Sequence, residues 1–318
     1  MKKLSIIIPV YGVEKYIEEC MRSITCQIVP EVEVIIINDG TKDRSIEIAK
    51  KVILELPKEL QECFMIFEQE NQGQSVARNH GISKSTGEFI AFVDPDDFVD
   101  IHYFQVLLKQ ISENPFVDVF HINAFEVNVN SSKLKEINIS NNNEIVDVDE
   151  KVLINIFELD LWQPWLRVFN TKLKEKIVFT PNIILEDKFL FARLYDKDIK
   201  KIKNINENLV EYRIHSLSSL GNIKNIKKIM SSAKKGIEEY SNFDSLPMKI
   251  VFMSYLNLFI SLNTNMEFSE MKKNSISVNK YCKIALNEKD ISFWKRLKFK
   301  FPTCYAYLRC AIKKILKV

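Results

Sequence analysis

Within its first hundred residues the chain alternates three times between short apolar runs and helically spaced segments. No other feature limits the fold as tightly. Leu4-Ser5-Ile6-Ile7-Ile8-Pro9-Val10 is β-branched and nearly continuous, the pattern of a strand buried on both faces. Glu14 to Cys26 puts Tyr16, Ile17, Cys20, Met21 and Ile24 on one helical face. Glu33–Ile37, Cys63–Phe67 and Glu88–Val93 repeat the strand pattern. Helices are expected at Asp43–Leu56, capped by Asp43, and at Gln74–Lys84. A βαβ series with right-handed crossovers gives an α/β fold, a mostly parallel sheet with helices on both faces. Ligands of such sheets sit beyond the carboxyl ends of the strands. Pro9-Val10-Tyr11, Asn38-Asp39-Gly40 and Asp94-Pro95-Asp96-Asp97 each end a strand and should therefore line one edge.

The last of these is the most unusual chemically. Phe89 to Val93 is apolar throughout, and three carboxylates then follow within four positions. Crowded acids repel one another and resist desolvation unless something cationic offsets them. A hard divalent cation with oxygen ligands, Mg²⁺ or Mn²⁺, is one solution, and it would in turn hold a diphosphate. An acidic turn capping the next helix is the other.

Composition excludes several classes. The 318 residues are 46% hydrophobic and 27% charged, an ordinary globular balance. A net charge of +3 is too small to argue for nucleic acid, but after Asp290 there are eight Lys or Arg and no acid. The six cysteines lack ligand spacing, so structural zinc is not expected and free thiols in a reducing compartment are. Met1 to Val10 reads as a first strand rather than a signal peptide, which places the protein in the cytoplasm. Ile250 to Leu262 falls short of the roughly 20 residues that span a bilayer. No GxGxxG follows the first strand and no GxxxxGK[ST] occurs, against dinucleotide and P-loop binding.

Further along, a helix is expected at Ile101–Ile111, a strand at Val117–Val127 and a surface loop or edge hairpin at Asn128–Asn143. Asp149–Leu159 reads as a helix, and Leu161–Phe169 is aromatic-rich and broken by Pro164. Ile183–Phe189 leads into a helix reaching Tyr195, and Asn208–Ile214 is a strand running into His215 and Ser216. Lysine-rich helical spacing follows. The expected organisation is one α/β domain over 1–221, then a helical region over 222–318.

Four segments, Ser5 to Tyr11, Asn38 to Ser45, Ala77 to Ile82 and Phe92 to Asp97, occur in the order and spacing of a known family. The chain resembles the family 2 glycosyltransferases with the GT-A (Rossmann-like) fold, closely over the first hundred residues and more loosely to about Ser218. The resemblance implies an inverting, metal-dependent hexosyltransferase moving one sugar from a UDP-sugar to a hydroxyl of a glycan or lipid-linked saccharide, in capsule, O-antigen or exopolysaccharide assembly. It implies that Asp39 accepts the imide N–H of uracil, where the residue alone reads equally as an Asx turn. Pro9 and Tyr11 would complete the base pocket. Arg78 would lie near the nucleotide or diphosphate, or form a structural ion pair. Asp94 and Asp96 match the DxD positions, Asp96 reaching Mn²⁺ or Mg²⁺ and Asp94 the ribose or the metal shell. Asp187, after Glu186, matches the catalytic base, where the bland reading is a pair of acids at a helix start. Trp162 and Trp165 offer an acceptor sugar a stacking face or are core. Glu186 would join them on the acceptor side, and the resemblance makes 1–100 the nucleotide-binding part of the domain and 101–221 its acceptor-side part. Arg213, His215 and Ser216 resemble a late loop that closes over the diphosphate.

Gly12 stands where relatives often have Asn, and no Gln-x-x-Arg-Trp occurs, so a processive synthase is not expected. A nucleotidyltransferase would need a Gly-rich first loop, which Pro9-Val10-Tyr11-Gly12 is not. An inactive nucleotide-binding assembly protein would bind UDP without turnover. The basic, aromatic tail after Asp290 either lies on an anionic membrane, on the inner face of the cell membrane, or packs Leu308, Ile312, Ile315 and Leu316 on the protein.

Overall fold

The computed structural model describes residues 1–215, 225–286, 298–302 and 304–305. The chain forms two compact units, Met1–Asn182 with Glu186–Ser218, and Ile183–Leu185 with Ser219–Val318.

The first unit is built around β1 (Leu4–Val10), every residue of which is buried. β2 (Val32–Asn38) and β4 (Phe89–Phe92) flank it in parallel, and β3 (Phe64–Glu68) continues beyond β2. The crossovers are α1 (Ile17–Thr25), α2 (Ser45–Leu54) with the short α3 (Lys58–Gln61), and α4 (Gln74–Lys84). α1 buries Ile17, Cys20, Met21 and Ile24, the face its spacing predicts. In sheets covered on both sides, continuous Ile/Val runs such as Ile6-Ile7-Ile8 and Val34-Ile35-Ile36-Ile37 lie fully buried, as they do here.

Beyond β4 the chain adds β5 (Phe98–Val99), α5 (Tyr103–Glu113), β6 (Val119–Val127), β7 (Lys133–Ile137), β8 (Ile145–Asp147), α6 (Glu150–Leu159), β9 (Arg167–Asn170), α7 (Glu186–Lys197) and β10 (Lys201–Arg213). The sheet order is β3-β2-β1-β4-β9-β6-β10-β5, with β7 on β6 and β8 on β10. β9 is antiparallel to both β4 and β6, and so joins the parallel quartet to the parallel β6–β10 pair.

Two elements depart from the sequence reading. The aromatic stretch contains β9, a strand of only four residues after a 3₁₀ turn opened by Pro164, too short for period-two patterning to reveal. β10 begins at Lys201 rather than Asn208, because Lys201, Lys203, Asn204 and Asn206 break the apolar signal and the register shifts between Ile205 and Asn208. The Asn/Ser/Lys-rich 128–143 segment holds the edge strand β7.

The amino-terminal end of the sheet is locked by a buried acid. Glu33 accepts from Ser5 Oγ at 2.6 Å, Thr86 N at 2.6 Å, Thr86 Oγ1 at 2.8 Å and Gly87 N at 3.2 Å. Its carboxylate ties β1, β2 and the lead-in to β4 at the end opposite the ligand loops.

The second unit contains α8 (Ile226–Tyr240), α9 (Leu246–Asn263) and α10 (Phe268–Leu286). Tyr240 of α8 stacks on Tyr255 of α9, ring centroids 5.9 Å apart. That approach requires Gly236, where a Cβ would meet the Tyr255 ring at 2.7 Å. By length and composition α9 could cross a membrane, with 18 residues of mean hydropathy 1.2, but half of it is buried within the protein. Of the basic tail, Lys298 and Phe299 are buried, and Lys298 Nζ donates to Asn257 O at 3.0 Å and Ser261 Oγ at 2.6 Å. That piece packs on α9; Leu308, Ile312, Ile315 and Leu316 lie outside the described residues.

Glu33→Ala would leave the buried Ser5 hydroxyl without its acceptor and release the Thr86 donors, while Gly87 N keeps Ser5 Oγ at 2.9 Å, and should cost about 1–3 kcal/mol of stability in urea unfolding. The loops at the carboxyl ends lie at the other end of the strands, so the fold of the remaining native fraction should be unchanged.

Candidate functional site

The carboxyl ends of β1 and β2 carry loops that are stapled together. Gly12 N donates to Thr41 Oγ1 at 2.9 Å, Val13 N to Ser45 Oγ at 3.0 Å and Glu14 N to Asp43 Oδ2 at 3.0 Å. Asp43 thus organises both loops as well as the start of α2, where it accepts from Ser45 N at 3.1 Å. Pro9 is buried within β1 opposite Ile37, whereas Tyr11, just past the strand, is 54% exposed.

Asp39 is almost fully buried, and both of its oxygens are in use. Oδ1 accepts from Gln69 Nε2 at 2.8 Å and Gln72 N at 2.9 Å; Oδ2 accepts from Gly73 N at 2.9 Å and Asn71 Nδ2 at 3.1 Å. The carboxylate folds segment 69–73 around itself. Gly40, with φ +67°, permits this, since a Cβ there would lie 2.9 Å from Asn71 N. An imide N–H reaches Asp39 only by displacing one of these donors.

The centre of the site is Arg78 on α4. Its side chain is 3% exposed and donates from Nη2 to Asp94 Oδ1 at 2.8 Å and from Nη1 to Glu186 Oε1 at 2.9 Å. It also lies over the Phe179 ring, 5.2 Å from the centroid. The adjacent Asn79 clamps Phe179 by pairing with both its N and its O at 2.8 Å. Arg78 and Asn79 thereby hold the segment leading to α7 against α4, a role no motif matching assigned to Asn79. Gln74 Nε2 is a second donor to Asp94 Oδ1, at 3.1 Å.

The other acids fall into two groups. Asp96 accepts from His215 Nε2 at 2.8 Å, and His215 stacks on Tyr16 with centroids 4.9 Å apart. Burial, then the charge of Asp94, pushes the Asp96 carboxyl above its ordinary range. Burial and the neighbouring Asp96 and Asp94 push Asp97 up further, and its Oδ1 accepts from Arg213 N at 2.8 Å. The Arg213 side chain is buried and committed, donating to Asp96 O at 2.9 Å and to Glu19 Oε2 at 2.6 Å. It therefore ties the end of β10 to the Asp96 loop and to α1. Tyr16 and Glu19, which enter through His215 and Arg213, carried no signal in the sequence beyond their places in or beside α1. Ser216 lies outside the described residues.

On the opposite side of Arg78, Asp187 occupies the first turn of α7, following Leu185 in a left-handed conformation with φ +79°. Such a backbone in a branched residue costs about 1–3 kcal/mol and is concentrated at functional positions. Burial, then the charge of Glu186, raises the Asp187 pKa to about 7. A carboxyl poised there at neutral pH can both take and release a proton.

Both tryptophans, expected as an acceptor face or as core, are buried. Trp165 is 2% exposed and stacks on Tyr212 at 5.2 Å; Trp162 is 5% exposed, packs on Phe157 and donates from Nε1 to Asp160 at 2.6 Å. Both rings are packed against other aromatic side chains, as in the core reading. Glu186, the third expected acceptor residue, is held by Arg78.

Among the described residues no group of three His, Cys, Asp or Glu side chains converges on a metal position. The pair Asp94 and Asp96 nonetheless has the chemistry to take a hard cation. Each uses one oxygen within the protein, Oδ1 of Asp94 and Oδ2 of Asp96, and the mutual repulsion that raises Asp96 is what a divalent cation relieves.

The fold is that of the GT-A class. The chain belongs to glycosyl transferase family 2, whose profile matches residues 5–172, and it spans between about a third and two thirds of the length of the curated relatives it matches. It is 31% identical over 220 residues to glycosyltransferase GlyA of Streptococcus pneumoniae, a match covering 67% of this chain but 30% of GlyA. TarS residues 1–349 of S. aureus superpose with a TM-score of 0.71 at 18% identity, over 99% of this chain and 92% of that one. The mannosyltransferase PcManGT of Pyrobaculum calidifontis gives a TM-score of 0.56 at 13% identity, over 98% and 87%.

The elevated Asp187 pKa has a consequence for stability. A carboxyl whose folded pKa, about 7, exceeds its unfolded value of about 4 contributes stability below the lower value and loses it as pH rises through the upper one. Asp187→Asn removes the charge and should therefore melt above the wild type at pH 8, by roughly 2 kcal/mol, with the gap closing as pH falls towards 4.

Proposed function

We propose that this enzyme moves one sugar from a UDP-sugar to a hydroxyl of a glycan or lipid-linked saccharide, with inversion at the anomeric carbon, during assembly of a cell-surface polysaccharide. The observation that carries the reading is the division of the acids by Arg78. Asp94, with Asp96 close enough in charge to repel it, lies on one side; Asp187, at the edge of ionisation near neutral pH, lies on the other.

Inverting transfer needs such a division. The leaving diphosphate and the attacking hydroxyl occupy opposite faces of the anomeric carbon, so the groups serving them must be separated. In this reading the acceptor oxygen attacks the anomeric carbon as Asp187 removes its proton. A new C–O bond forms, the bond to the β-phosphate oxygen breaks, and UDP departs with the bonding pair. Asp94 and Asp96 would hold Mn²⁺ or Mg²⁺, which when bound supplies Lewis-acid stabilisation to the diphosphate. His215, fixed by Asp96 and Tyr16, lies beside the same acids.

The uridine assignment rests on the resemblance around Asp39 and on TarS, solved with UDP and with UDP-GlcNAc, while PcManGT was solved with GDP-Man and Mn²⁺. Base choice is therefore a local matter. Here Asp39 shapes the pocket wall through segment 69–73, and reads the imide directly once a donor such as the Gln69 amide swings aside. A cytoplasmic site, with the acceptor at the inner face of the membrane, suits a UDP-sugar donor and a lipid-linked acceptor.

Radiolabelled transfer from a panel of UDP-sugars to lipid-linked saccharides tests the reading. Asp187→Asn should retain donor binding and lose about 10²–10⁴-fold in turnover. Asp96→Ala should abolish Mn²⁺-dependent turnover without unfolding the chain. Turnover by Asp187→Asn within a few-fold of wild type would remove the base assignment, and Asp96→Ala activity insensitive to chelation would remove the metal assignment.

A further inference from the structure

Behind α7 lies a charge that the proposed reaction leaves unexplained. Arg167, the first residue of β9, is fully buried. All of its hydrogen-bond partners are neutral. Nε donates to the Tyr195 hydroxyl at 2.8 Å, Nη1 to Gln163 O at 3.0 Å and Nη2 to Leu161 O at 2.6 Å. The guanidinium lies 5.1 Å from the centroid of Phe191 and 5.5 Å from that of Tyr195. Among the described residues no carboxylate stands within ion-pairing distance of it. Other buried cations around α7 are matched: Arg78 by Asp94 and Glu186, and Lys188 by Asp160 at 2.6 Å.

A buried guanidinium without a counter-ion is costly, so its position calls for a reason. Packing alone does not supply one, since a methionine or leucine would fill the space without desolvating a charge. The surrounding polar groups do not offset it either. His121 is the register neighbour of Arg167 on β6, and burial together with the Arg167 charge pushes its pKa well down, so it is neutral. With Arg167 donating to Tyr195, the tyrosine hydroxyl gives its own proton to His121 Nε2, and Asn204 on β10 takes up the other side of the imidazole. This polar row across β9, β6 and β10 orients Arg167 and leaves its charge unneutralised.

The helix geometry shows where that charge is felt. Phe191, over which the guanidinium lies, is one helical turn from Asp187, so the charge sits against the face of α7 that Asp187 begins. We propose that Arg167 is a positioning residue for Asp187, supplying the unpaired positive charge that keeps the base ionised while anchoring α7 through Tyr195. The proposal rests on the reading of Asp187 as the base. The ionisable groups that act on Asp187 are Glu186 and Lys188 on its own helix, Arg78 from α4 and Arg167 from β9; Glu186 opposes its ionisation and Arg78 and Arg167 favour it. Since Arg78 is shared by two carboxylates, Arg167 is the member of this set whose field is not already spent on a partner.

The test is the pH profile of kcat/KM for sugar transfer in the full-length protein, for wild type, Arg167→Gln, Arg167→Lys and Tyr195→Phe. Removing the charge should move the acidic limb upward by about one pH unit, a roughly tenfold loss below pH 7 that recovers towards pH 9. Arg167→Lys should restore the limb, and Tyr195→Phe, which loosens the anchor but keeps the charge, should leave it in place. Arg167→Met carries the same expectation as Arg167→Gln should the glutamine variant not fold. An acidic limb unmoved in the charge-removing variant, or moved equally in Tyr195→Phe, would overturn the role of Arg167 alone. If Asp187→Asn turns over near the wild-type rate, the base reading itself falls, and this proposal with it.

Discussion

The site depends on one buried guanidinium. Arg78 reaches from α4 to Asp94 after β4 and to Glu186 at the start of α7, segments more than ninety residues apart in sequence. Breaking a buried, paired charge of this kind typically costs 3–5 kcal/mol, because the partner acids are left exposed to one another's repulsion. The interaction is therefore structural and electrostatic at once. It keeps Asp94 and Glu186 paired and lends positive charge that partly offsets the crowding of the neighbouring acids.

Around this pair the sheet does the placing. Parallel β1, β2 and β4 deliver their carboxyl ends to one edge, and the loops there are held by side-chain to backbone hydrogen bonds rather than by packing, Asp43 for the first two and Asp39 for segment 69–73. β10, arriving from the far side of the sheet, ends at Arg213 and brings His215 to Asp96. Each acid thus meets a different environment. Asp94 is paired and stays near the surface, Asp97 is sunk and held by a backbone amide, and Asp187 lies in a desolvated turn beside a like charge.

Much of this was legible in the sequence where the signal was local. The Ile/Val runs of β1 and β2, the apolar face of α1 and the acids ending β4 are patterns that periodicity reads directly, and the ordered motifs around Asp39, Arg78 and Asp94 carried the family resemblance. Tertiary partnerships were not legible. Nothing near Glu19 or Tyr16 in the chain marks them as neighbours of Arg213 and His215, because those contacts form between residues nearly two hundred positions apart. Trp162 and Trp165 were ambiguous for a physical reason: an indole that stacks on a sugar and one that stacks on Tyr212 have the same local sequence. β9 escaped because four residues inside an aromatic run give no alternation to detect.

The central claim is that Asp94 and Asp96 serve a metal-bound nucleoside diphosphate while Asp187 serves the acceptor. Thermal stabilisation by UDP, with and without Mn²⁺, in the wild type and in Asp187→Asn tests it most directly, because a ligand that binds only the folded state raises the melting temperature with the logarithm of its concentration over its dissociation constant. The account predicts a shift that requires Mn²⁺ and survives intact in Asp187→Asn. A shift indifferent to Mn²⁺, or none with any uridine nucleotide, would contradict it.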